Sequence, residues 1–258
     1  MVHAWKACGR KSSRVRVPPP PPVRIIFLNC WYAKAEKVFF DFVRENSLNT
    51  DIFCFQEVDP KLFNKLSNLL SGHRGYFGTD NKFELLGHVY GQTVFIKKVI
   101  SVLSSGKVDL YRQVVDDVGF MQYLELKVDS KTIYLANIHA KARPGHKLDT
   151  PARLRQSKLI IDFLKNKPGL KIVGGDFNLL PETKSIRLIE AAGYKNLIKD
   201  FAIKATRNKL SWESLKKGEE KQHYADYVFT SPGLKVSSFE VPDMEISDHL
   251  PMILDFEI

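Results

Sequence analysis

The chain has 258 residues, of which 44% are hydrophobic and 26% charged, and a formal net charge of +10. This is ordinary globular composition with room for a sizeable core. No apolar run approaches the roughly 20 residues that span a bilayer, which excludes stable membrane insertion. The odd set Cys8, Cys30 and Cys54, two of them inside apolar runs, argues against a disulfide framework and for a reducing cytoplasm.

Residues 1–22 carry Lys6, Arg10, Lys11, Arg14 and Arg16 with no Asp or Glu, half of the net charge, and end in five prolines. Proline's fixed φ and missing N–H keep such a run out of helix interiors and central strands, so a basic, disordered tail is expected. An arginine-rich start also resembles an organellar targeting segment, but it lacks an amphipathic period.

From residue 23 the pattern alternates strand and helix. Residues 23–29 (VRIIFLN) form a near-continuous apolar run of strand length, followed by Ala35, Val38, Phe39, Phe42 and Val43 at helical spacing. Residues 51–55 read as a second buried strand, and residues 59–70 as a helix with Leu62, Phe63, Leu66, Leu69 and Leu70 on one face. Between 72 and 130 the period shortens: GQTVFIKK, KVDLYRQVV and MQYLELKV read as short strands between Gly, Ser and Asp turns. A strand over 131–138 follows, then a helix opened by the capping sequence Asp149, Thr150 and Pro151. Residues 169–175 read as a buried strand and residues 182–192 as a helix that Gly193 can end. Two last strands are expected near 224–229 and 251–258. No linker separates unlike halves, so residues 23–258 are expected to form one domain.

Four stretches place polar groups where an apolar run ends: DIFCFQEV, IYLANIHA, KIVGGDFNLLP and EISDHLPMILDF. Packing fixes a strand, and its end frees a side chain to meet a ligand, so Glu57, His139, Asp176, Asn178, Asp248 and His249 can converge. Glu57 and Asp176 each follow a buried run, where a lone carboxylate is costly without a partner. Such a position also suits the cap of a following helix. Oxygen donors suit Mg²⁺, with Mn²⁺ as a substitute, and no CxxC or HExxH spacing points to zinc. Asp176 and Asn178, two apart after paired glycines, project toward one side while Phe177 faces the core; an Asx turn would use the same residues. Adjacent Asp248 and His249 cannot easily serve each other in extended backbone. Asp248 is therefore expected to be free for metal, and Asp226 in HYADYVF to orient the His249 ring.

In their order, QEV, NIHA, GGDFN, YADYVF and SDHLP resemble the endonuclease/exonuclease/phosphatase superfamily over nearly everything after residue 23. The resemblance implies an α/β fold of four layers (α/β/β/α): two packed, mostly antiparallel sheets flanked by helices, as in pancreatic-type deoxyribonuclease. It implies that Asn29 lies near metal and phosphate, that Glu57 is the principal Mg²⁺ ligand, and that Asp248 is a further metal-associated acid. It makes Asp176 and Asn178 the pair that activates water and holds the scissile phosphate, His249 the catalytic histidine, and Asp226 its partner. His139 resembles the extra phosphate-contacting histidine of the deoxyribonuclease, sphingomyelinase and deadenylase branches. Trp31 stands where the abasic-endonuclease branch has an acid. Either Asp176 or His249 would then deprotonate a water for in-line attack, while Mg²⁺ neutralises phosphate oxygens.

Lys141, Arg143, His146, Lys147, Arg153, Arg155 and Lys158 crowd the segment after His139, and Arg112 can reach the same rim. Such a rim favours a polyanion, although a solvated basic face would look alike. Trp212, amid a second basic stretch, offers a stacking surface for a base. A monomeric nuclease acting on DNA or RNA is the leading expectation. A phosphatase or phosphodiesterase for a lipid headgroup or inositol phosphate is the alternative, and a non-catalytic binding module of the same fold the third reading.

Overall fold

The computed structural model describes residues 22–79, 89–110, 119–213, 215 and 220–258. The basic tail, apart from residue 22, and Arg112 lie outside the described residues. The first sheet contains β1 (Val23–Asn29), β2 (Ile52–Val58), β3 (His73–Thr79), β4 (Gly91–Lys97), β11 (Lys235–Glu240) and β12 (Met252–Glu257), in the order β11-β12-β1-β2-β4-β3. The second contains β5 (Ser101–Asp109), β6 (Phe120–Val128), β7 (Lys131–His139), β8 (Leu170–Asp176), β9 (Lys195–Asn196) and β10 (Asp226–Thr230), in the order β5-β6-β7-β8-β10-β9. Each sheet has one parallel pair, β1 with β2 and β7 with β8, and is otherwise antiparallel.

A parallel pair needs a crossover, supplied by α1 (Glu36–Asn46) in one sheet and α3 (Pro151–Lys165) in the other. Helices α2 (Pro60–Leu69), α4 (Lys184–Ala191) and the short α5 (Leu197–Asp200) complete the outer layers. This is the expected four-layer arrangement. Alternate residues of β1 explain its unbroken apolar run: Ile25 and Phe27 join the core between the sheets, while Ile26 and Leu28 pack with Phe39, Phe42 and Leu66 of the helices. Strands covered on both faces have no polar side to show.

The expected elements occur, with three differences. Strand β5 takes in residues 107–109 of KVDLYRQVV, and residues 111–115 of that stretch lie outside the described residues. Strands β3, β9 and β11 were not legible: β3 has mostly half-buried residues, β9 is two residues long, and KVSSFE of β11 is a largely exposed edge. Val38 is exposed, so Phe39, Phe42 and Val43 alone form the buried face of α1. The helix cap weighed for Glu57 belongs to Asp59, which accepts from the Leu62 N–H at 2.7 Å.

Beneath the strand ends, buried amides tie the sheets together. Gln56 Nε2 donates to Asn137 Oδ1 (2.5 Å), Gln92 Nε2 to the Asn137 carbonyl (3.0 Å), and Asn137 Nδ2 to the carbonyls of Phe55 (3.2 Å) and Thr93 (3.3 Å). Beside them Gly175 adopts φ 126°, and a Cβ there would sit 2.2 Å from the Ile138 carbonyl oxygen. Gly175→Ala is therefore expected to lose about 2–3 kcal/mol through strain and clash. A urea-denaturation midpoint equal to wild type would contradict this.

Candidate active site

The two parallel pairs deliver their C-terminal ends to one place. Asn29 ends β1 opposite Gln56, His139 ends β7 opposite Asp176, and Asp226 starts β10 opposite Asp176. His249 arrives from the loop before β12, which runs antiparallel to β1. Glu57 sits at a register shift between Gln56 and Val58 with φ 58°, a bulge that re-aims its side chain.

These groups form one continuous chain of contacts. Asn29 Nδ2 lies 3.1 Å from both Glu57 Oε1 and Asp176 Oδ2. Asp176 Oδ2 is 3.5 Å from His139 Nε2 and 3.8 Å from His249 Nε2. His249 Nδ1 bonds both oxygens of Asp226, at 2.8 and 3.0 Å. Asn178, at φ 51°, donates its N–H to Asp176 Oδ1 at 2.8 Å. The Asx turn is present, and the same turn presents the Asn178 amide. Phe177 is fully buried against Tyr227 and Phe229.

Burial would protonate Asp176, but His249, His139 and Lys147 outweigh it and hold its pKa down to about 2. Burial raises the Glu57 carboxyl to about 7, against the pull of His249 and the Asn29 amide. His139 is pushed down to about 4 by burial and is neutral near pH 7. Burial also opposes charge on His249, yet the carboxylates of Asp226, Asp248 and Asp176 prevail and raise it to about 9.

Asp176, Asp226 and His249 bring one ligand atom each within 4.8 Å of one another. That trio is a hydrogen-bonded relay rather than an ion cage, because Asp226 occupies His249 Nδ1. The oxygens of Glu57 and Asp176, bridged by one amide, are the donor set that fits a hard divalent cation. Asp248 differs from expectation: instead of being free for metal, its Oδ2 is paired with Arg207 Nη2 at 3.1 Å.

Of the expected rim residues, Arg143 is exposed. Trp212 lines a cavity of about 400 Å³ with Gly145, Arg207, Ser211 and Gln222. Its ring already has Lys221 5.1 Å from its centroid and His223 edge-on. Arg153 is a correction: it is wholly buried, and its guanidinium binds backbone carbonyls rather than facing a polyanion. Sequence reasoning missed Arg207 and Tyr90, whose hydroxyl bonds His139, and it placed Lys147 on the basic rim, whereas its ammonium is buried and bonds Asn178 Oδ1. No spacing marks them, since each enters from a loop or a strand start.

Two packed sheets meeting at a buried carboxylate–imidazole centre fit a metal-dependent phosphoric ester hydrolase, the class that the family match assigns. Residues 27–249 match the Endonuclease/Exonuclease/phosphatase family, and the chain belongs to it. Similar solved structures include D. rerio TDP2 complexed with single-strand DNA product, at TM-score 0.74 and 14% identity, covering 92% of this chain and 99% of that one. The human Nocturnin catalytic domain with bound sulfate gives TM-score 0.69 and 23% identity, covering 92% and 93%. A mannosyl-6-phosphatase from Bacteroides thetaiotaomicron gives TM-score 0.67 and 15% identity, covering 92% and 100%. No curated protein matches the chain by sequence.

His249 should titrate near pH 9 in the metal-free protein. Asp226→Asn removes the foremost carboxylate and should move the midpoint down toward the ordinary 6.5. Because the folded value is raised, stabilisation by the imidazolium is complete below about 6.5 and fades as pH rises through about 9. An NMR titration of the ring checks this; equal midpoints in both proteins would remove Asp226 from the role.

Proposed function

We propose that the chain is a Mg²⁺-dependent phosphodiesterase acting on nucleic acid, with residues 23–258 as its catalytic domain. The observation that carries this reading is the connected relay Glu57, Asn29, Asp176, His249 and Asp226 across the seam between the sheets. Glu57, with Asn29 alongside, would hold the cation, and Asp248 would act through Arg207 at its margin. When bound, Mg²⁺ supplies charge neutralisation at phosphate oxygens. The family is divalent-metal dependent in general, and the all-oxygen donor set supports Mg²⁺ within it.

Asp176, held ionised, orients the attacking water and accepts its proton. His249, held protonated by Asp226, meets the charge that builds on the phosphoryl oxygens. Neutral His139, steadied by Tyr90, donates to the same group. Support for a nucleic-acid substrate comes from the exposed Arg143, Arg155 and Lys158 rim and from Trp212 beside the Arg207 cavity. The DNA product on D. rerio TDP2 adds to it. A phosphatase for a phosphorylated sugar or headgroup is the second reading, favoured by the Bacteroides neighbour of the same fold. Cys30 and Cys54 are free and buried, which supports a reducing compartment such as the cytoplasm. No helix of the described residues is long and apolar enough to cross a membrane.

Single-stranded DNA, RNA, bis-p-nitrophenyl phosphate, mannose 6-phosphate, inositol phosphates and sphingomyelin, each with Mg²⁺ and with EDTA, test the reading. Cleavage of DNA or RNA that EDTA abolishes is expected; turnover of headgroup or sugar phosphates alone transfers the assignment to the second reading. Asp176→Asn and His249→Ala should each lower kcat by about 10³-fold or more with the fold intact. Wild-type turnover in either would refute its role.

A further inference from the structure

Lys147 sits in the catalytic pocket on a loop that is fastened unusually well. Its carbonyl accepts from the Leu180 N–H at 2.9 Å, and its own backbone is left-handed at φ 54°. The buried Arg153 guanidinium donates to the carbonyls of Lys141 (3.3 Å), Ala142 (3.0 Å), Pro144 (2.7 Å) and Leu148 (2.7 Å). Gln222 Nε2 holds the Gly145 carbonyl at 2.9 Å. Six carbonyls between residues 141 and 148 are thereby fixed. The result is to drive one ammonium, only 6% exposed, against Asn178.

A buried ammonium is unfavourable unless paired. Here its hydrogen-bond partner is a neutral amide oxygen, and burial pushes its pKa below the ordinary lysine value, opposed by the carboxylates of Asp176 and Asp226, which favour the charge. Asn178 is largely committed: its Oδ1 accepts from Lys147, its Nδ2 donates to the Ala140 carbonyl at 3.2 Å, and its N–H to Asp176. The ammonium has three N–H donors, and among the described residues only the bond to Asn178 takes one of them. A fixed cation next to the water-orienting carboxylate lies where phosphoryl charge would grow.

We infer that Lys147 is a further catalytic residue whose ammonium donates to a non-bridging oxygen of the scissile phosphate, with Asn178 as the positioning residue that aims it. This rests on the phosphodiesterase reading above. It moves the principal phosphate contact from the Asn178 amide to a cation, whose interaction with an oxyanion is the stronger one.

The test compares wild type with Lys147→Met and Lys147→Arg as full-length chains. Titration calorimetry with inorganic phosphate should show at least a tenfold weaker affinity in Lys147→Met, and affinity within about threefold of wild type in Lys147→Arg. With bis-p-nitrophenyl phosphate and Mg²⁺, Lys147→Met should lose about 10²-fold in kcat/KM, the scale of losing one oxyanion donor. The preference for the oxygen ester over its non-bridging phosphorothioate should shrink as well. Wild-type phosphate affinity in Lys147→Met overturns the inference, and so does a rate loss with an unchanged oxygen-to-sulfur ratio, which marks a structural role. Should Lys147→Met fail to fold, Lys147→Gln, which keeps a donor for Asn178 without charge, carries the same comparison. If wild type hydrolyses no ester, the function proposed above fails, while the phosphate titration still decides Lys147.

Discussion

Asp176 is the group on which the site depends. It is almost wholly buried, yet remains ionised because Asn29, His139, His249, Lys147 and the Asn178 N–H surround it with donors and positive charge. An uncompensated carboxylate at that depth would take up a proton or open the seam to water. Its partners come from β1, the end of β7, the loop before α3, the turn after β8 and the loop before β12. The sheets must therefore pack in one register for the charge to be tolerated, and the Gln56–Asn137 amide pair just below enforces that register.

Strain gathers at the same place. Glu57, Lys147 and Asn178 are all non-glycine residues in the left-handed region, and each carries a side chain of the centre. Such backbone is unfavourable by itself and persists only where surrounding contacts over-determine it. Here it turns a bulge, a loop and an Asx turn into fixed aiming devices. Arg153 extends the principle: a wholly buried guanidinium organises the loop that carries Lys147.

Much of the fold was legible because both faces of the central strands are covered. VRIIFLN and KIVGG announce themselves as unbroken apolar runs, and Thr150 with Pro151 announces the start of α3 through capping chemistry. Edge strands β3 and β11, with one face toward water, carry no comparable pattern. The relay was legible for a related reason: Glu57, Asp176 and His249 interrupt or border those runs with groups that need partners. Asp248 was legible as a site acid but not in its state, because Arg207 is forty-one residues away and nothing local links them. Lys147 and Arg153 looked alike in a basic loop, and only burial separates the ammonium aimed at Asn178 from the guanidinium that clasps backbone.

The amino-acid order by itself determined which residues form strands and helices and which polar groups stand at their ends, because periodicity, capping and the cost of burying charge act over a few residues. Tertiary structure alone decided who meets whom. Asn29 bridging Glu57 and Asp176, Arg207 on Asp248, Tyr90 on His139 and Lys147 on Asn178 all join distant segments. Such pairings are set by how two sheets pack and where the intervening loops are fastened, which no local rule of sequence encodes.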